Sequence, residues 1–176
     1  MRTDSTRRRT LRALLLLAGS LILALPVHAR KAHVHGAGRL DVAIDKGVIS
    51  ISLELPLDVA VGFERAPRND REKAELAVAE KALASGALFV PTPAADCRAE
   101  PVKLVLPAFG TSADRDAHGD IDASYAFRCA RPAALRSIET GIFKSFRRLY
   151  RLEVQRIGPV GQGAQRLTPK NPVIDW

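Results

Sequence analysis

The chain has 176 residues, with 27 Lys and Arg against 19 Asp and Glu, 47% hydrophobic residues and two cysteines. That apolar content excludes a disordered chain, and two cysteines are too few for a miniprotein framed by disulfides. Residues 1–29 hold five of the arginines and one acid, so the remaining 147 residues carry a net charge of only +4, and a nucleic-acid partner is not expected.

The first residues read as an address. Arg7-Arg8-Arg9, the apolar run Leu14 to Leu25 and the closing Pro26-Val27-His28-Ala29 have the layout of a secretory signal. The apolar run is shorter than the ~20 residues that cross a bilayer, which disfavours the alternative of an uncleaved anchor. The expected organisation is a signal peptide over 1–29 and a single domain over 30–176, periplasmic and without stable membrane insertion after cleavage. Arg12 stands where a twin-arginine signal prefers an apolar residue, which favours the ordinary unfolded-export route. In an oxidising compartment Cys97 and Cys129 have only each other as intramolecular partner, so a structural disulfide is expected.

Leu40, Val42 and Ile44 alternate with polar neighbours over 39–44, and Ile49, Ile51, Leu53 and Leu55 alternate over 48–55. With Asp45-Lys46-Gly47 between them, the two runs predict a β-hairpin with one buried face, ended by Pro56. Asn69 and Glu72 fit the ends of a capping box. Leu76, Ala79 and Leu83 then form one helical face over 70–84, and Ser85-Gly86 stops it. Strands follow at 102–106 and 123–129, around a polar loop over 108–122. Further strands are expected at 138–143, 149–157 and 164–167. The pattern predicts an α+β fold, an antiparallel β-sheet with one main helix packed on it.

His33 and His35 lie two apart, so in extended backbone their imidazoles project to one side and can share a divalent transition metal such as zinc. The same pair also fits two solvated polar residues. Asp114 to Asp122 supplies Asp116, His118 and Asp120 as further donors, without the ligand order of an EF-hand loop; a solvated turn is the alternative there. Lys144 to Arg156 carries five cations and one acid among Phe146 and Tyr150, which fits an anion-binding strip or a strand with one wet face. No nucleophile elbow or phosphate-cradling loop is present, and the chain is not expected to be an enzyme.

Several strings taken in order resemble a family: His33-Val34-His35-Gly36, Gly62-Phe63-Glu64-Arg65-Ala66-Pro67, Asp122-Ala123-Ser124-Tyr125-Ala126-Phe127-Arg128-Cys129, Pro132-Ala133-Ala134-Leu135, Gly161-Gln162-Gly163-Ala164, Leu167-Thr168-Pro169 and Asn171-Pro172-Val173. Together they are similar to the ZrgA-like periplasmic proteins associated with zinc uptake, over nearly the whole mature chain. The resemblance implies an exported zinc-binding accessory protein that captures zinc or delivers it to components of a high-affinity importer. It also implies that His33 and His35 belong to a zinc site.

Two departures stand out. The long His/Asp-rich tract of typical members is reduced here to Asp114 through Asp122 with His118 alone, and Arg65 stands where many members have histidine. An arginine cannot ligate a metal. With both thiols bridged, the ligands left are His33, His35 and His118 with carboxylates such as Asp116 and Asp120, or waters. That set suits one releasable ion per chain, bound more weakly as pH falls through the imidazole range near ~6.5. The alternative is a non-catalytic periplasmic interaction module that has lost most metal binding.

Overall fold

The fold grows outward from a hairpin of two nine-residue strands. In the computed structural model, which describes residues 35–109 and 119–175, β1 (Ala37–Asp45) and β2 (Val48–Pro56) pair antiparallel from Asp45↔Val48 to Arg39↔Glu54. Lys46 and Gly47 form the two-residue turn, both at positive φ, a geometry that matches the twist of the flanking strands. The proposed signal over 1–29 and the candidate ligands His33, Asp116 and His118 lie outside the described residues.

Further strands extend the sheet on both sides of the hairpin. β6 (Asp120–Cys129) pairs antiparallel with β2, and β4 (Cys97–Ala99) and β5 (Lys103–Val105) share its outer edge. On the other side β8 (Arg151–Gly158) pairs with β1, and β9 (Gly161–Leu167) pairs antiparallel with β8. The β1–β8 ladder is parallel, Ala37↔Arg151 to Ala43↔Ile157, so the sheet is mixed and not the purely antiparallel one expected. Side-chain alternation fixes which face of a strand is buried but carries no information about the direction of a partner about a hundred residues away. A second sheet is ordered β10 (Val173–Asp175), β7 (Ser137–Thr140), β3 (Phe89–Pro91). The strand expected over 138–143 ends at Thr140, because Gly141 opens the short helix α3 (Ile142–Ser145).

One face of the large sheet is apolar. Leu40, Val42, Ile49, Ile51, Leu53, Leu55, Ile121 and Phe127 are at most 3% exposed. Two helices, α1 (Leu57–Val61) and α2 (Asp70–Leu83), supply Leu57, Val59, Leu76 and Leu83 to the same core as these strands. The second sheet adds Phe89, Ile138 and Ile174 to it. The opposite face of the large sheet carries Ser50, Ser52, Ser124 and Ala126, which line an open trough of about 1070 Å³. Tyr125 ties the layers together. Its hydroxyl donates to the Leu83 carbonyl at 2.8 Å, filling one of the free acceptors at the end of α2, and its ring meets Phe89 edge-on at 4.8 Å between centroids. Burial pushes this phenol well above its ordinary range.

Cys97 and Cys129 face each other across β4 and β6 and are bonded, as expected. The bridge fastens an edge strand only three residues long, and it spans a sequence separation of 32. Replacing both cysteines by serine is expected to lower unfolding free energy by about 3–4 kcal/mol, measured by urea denaturation. A loss under about 1 kcal/mol would show that the strand ladder alone holds this edge.

Candidate metal centre

Pro56 ends β2 because it offers no N–H to continue the ladder, and Leu57 begins α1 on the next residue. This sharp change from strand to helix puts Asp58 in the first turn of a five-residue helix, at the end of the sheet where β1 starts. His35 lies two residues before β1. Its Nδ1 is 3.2 Å from Asp58 Oδ2, with the imidazole 87% exposed and the carboxylate 23% exposed. This contact holds the imidazole and the carboxylate side by side at the mouth of the corner.

The third member comes from the turn after α1. His35, Asp58 and Glu64 each offer one ligand atom, and these atoms lie within 4.8 Å of one another. One imidazole nitrogen and two carboxylate oxygens at that spacing can hold a divalent cation with room for waters or further donors.

Two glycines let the chain close around this cluster. Gly36 has φ +74°, and a Cβ there would collide with the Tyr150 ring; its carbonyl accepts from Tyr150 N at 2.8 Å and from Arg151 N at 3.3 Å. Gly62 caps α1 at φ +87°, and a Cβ there would lie 2.8 Å from the Arg148 guanidinium. Both conformations favour glycine. The segment 148–150 therefore presses on the residue after His35 and on the residue two before Glu64.

The turn carrying Glu64 is clamped from the other side. Arg65 donates twice to Glu72 on α2, at 2.7 and 2.8 Å, and Arg68 N donates to the same carboxylate at 2.7 Å. The Arg65 guanidinium also lies 5.2 Å from the centre of the Phe63 ring. Arg65 is thus a brace for the turn: it makes no metal contact of its own and it fixes the backbone next to Glu64. Asn69 caps α2 as expected, its side chain accepting from Glu72 N at 2.9 Å. The Glu72 carboxylate does not return to Asn69, because Arg65 and Arg68 already occupy it. These hydrogen bonds, led by that from Arg65, hold its pKa down at about 2.

Of the donors expected from the sequence, His35 is in the cluster. Asp120 starts β6 opposite Pro56, and the Gly119 carbonyl accepts from Leu57 N at 2.9 Å, one residue from Asp58. His33, Asp116 and His118 are outside the described residues. Asp58 and Glu64 were not expected. Glu64 lies inside the string Gly62 to Pro67, where its position between a glycine and a proline was the available clue; Asp58 had none, being a lone acid in an apolar stretch.

Glu72 titrates in the folded protein below its ordinary value of 4.5, so its contribution to stability is complete above that pH and is lost as pH falls toward about 2. Glu72→Gln is expected to flatten the fall of stability with pH across that window, followed by thermal unfolding at a series of pH values. An unchanged slope would contradict the brace.

Among the described residues no helix is long and apolar enough to cross a membrane. A search of the curated proteins returns no match. Residues 32–176 match the family described as ZrgA family zinc uptake protein, a span that includes the His35, Asp58 and Glu64 cluster, and the chain belongs to that family.

Proposed function

We propose that the protein is an exported periplasmic accessory protein that binds one zinc ion at His35, Asp58 and Glu64 and hands it to a high-affinity importer. The observation that carries this reading is the convergence of those three donors at one exposed corner of the fold. Zinc is cargo in this reading, not a folding staple. A mixed nitrogen and oxygen set with a largely exposed imidazole favours exchange, whereas structural zinc sites are closed by Cys and His.

His33 and His118 complete the proposed site. His33 is two residues before His35, and His118 is joined to Gly119, whose carbonyl is bonded one residue from Asp58. Asp116 and Asp120, the latter at the start of β6, are accessory carboxylates in this reading. The signal-like residues 1–29 support delivery to the periplasm.

Calorimetric zinc titration of the exported protein should give one site per chain. His35→Ala, Asp58→Asn and Glu64→Gln should each weaken it about 10–100-fold through loss of a ligand atom or its charge. Isotherms unchanged by all three substitutions would overturn the assignment. Retained zinc binding lost only in His33→Ala/His118→Ala would move the site off the cluster.

A further inference from the structure

The segment between α3 and β8 has a feature the zinc reading does not use. Phe143, Phe146 and Leu149 are buried at three-residue spacing, which leaves Lys144, Arg147 and Arg148 exposed, with Tyr150 67% exposed at the end of the run. Other cations of the fold have carboxylate partners: Arg65 has Glu72, and Arg151 and Arg166 share Glu153. Among the described residues, Lys144, Arg147 and Arg148 make no ion pair. Three unpaired cations so close in sequence repel one another, and the fold gains nothing from them by itself.

This basic run is joined to the metal cluster. Tyr150 N donates to the carbonyl of Gly36, the residue after His35, and the Arg148 guanidinium stands over Gly62 at the end of the helix that carries Asp58. A cation cargo is not drawn by positive charge, so the run serves something anionic that comes to the cargo. A protein that takes zinc from this corner brings ligands of its own, and an acceptor that pairs imidazoles with carboxylates is the kind a basic run would attract.

Resting on the zinc reading, we propose that Lys144, Arg147, Arg148 and Tyr150 form the docking surface for an acidic, imidazole-bearing segment of the protein that receives the metal from His35. Charge complementarity steers the encounter, and the exposed imidazole lies at the edge of the contact, where ligands can be exchanged one at a time. An anionic lipid surface fits less well. Three cations fall short of the ~4–8 of lipid-binding clusters, and Asp58 and Glu64 beside them are repelled by lipid phosphates.

The test uses the exported protein, a short synthetic peptide of alternating Asp and His, its Asn/Gln counterpart, and phosphatidylglycerol vesicles. The Asp/His peptide should bind the unsubstituted protein in preference to the other two probes. Lys144→Glu/Arg147→Glu, which alters two exposed side chains and leaves Arg148 over Gly62, should weaken that binding roughly tenfold and slow zinc transfer to the peptide. Lys144→Gln/Arg147→Gln should have a smaller effect in the same direction. Zinc affinity measured without peptide should stay within about twofold, so a failed metal site and a failed docking surface give different results. Equal peptide affinity in all variants, a preference for vesicles, or an equal loss of zinc affinity without peptide would each overturn the proposal.

Discussion

The approach of the 148–150 segment to Gly36 is the contact on which the metal corner depends. Gly36 carries no side chain, so the Tyr150 ring occupies the space a Cβ would fill, and the Gly36 carbonyl takes hydrogen bonds from the next two N–H groups of the incoming strand. That contact sets the start of the parallel β1–β8 ladder and fixes the backbone one residue from His35. Gly62 does the same at the end of α1, where Arg148 packs over it. A side chain at Gly36 would displace the Tyr150 ring and one at Gly62 the Arg148 guanidinium, and both positions have a positive φ that strains any residue with a Cβ. The glycines of His33-Val34-His35-Gly36 and of Gly62 to Pro67 are therefore parts of one joint.

Electrostatics at this corner follows from how the arginines are used. Arg65 is adjacent to Glu64 in sequence and would neutralise a ligand carboxylate if it turned that way. Glu72 holds it instead, with two short charge-assisted bonds on the far side of the turn. Asn69 starts α2 three residues before Glu72, in the turn from which Arg65 and Arg68 reach that carboxylate. One carboxylate is thus spent on bracing so that two others, Asp58 and Glu64, stay together with an imidazole.

The local parts of this fold were readable and the long-range parts were not. The β1–β2 hairpin and α2 follow from alternation, a turn with glycine and a cap at Asn69, all within a few residues of each other. The disulfide could be expected from the signal-like first residues and from there being two cysteines. The parallel β1–β8 pairing, the second sheet and the three-residue strands at Phe89, Cys97 and Val173 depend on contacts between distant segments that leave no periodic trace. The candidate site divides in the same way. His35 was visible because two histidines at spacing two are rare in a chain with four. Asp58 and Glu64 became candidates through the strand-to-helix corner at Pro56 and the brace at Arg65, which are tertiary features. Arg65 itself looked like a lost ligand, and its structural partner Glu72 explains it better.

The most direct test is a crystal structure of the zinc-loaded protein with data collected on both sides of the zinc absorption edge. An anomalous peak about 2.0–2.2 Å from a nitrogen of His35 and carboxylate oxygens of Asp58 or Glu64 is the predicted result. A peak elsewhere on the chain, or none at saturating zinc, would contradict it.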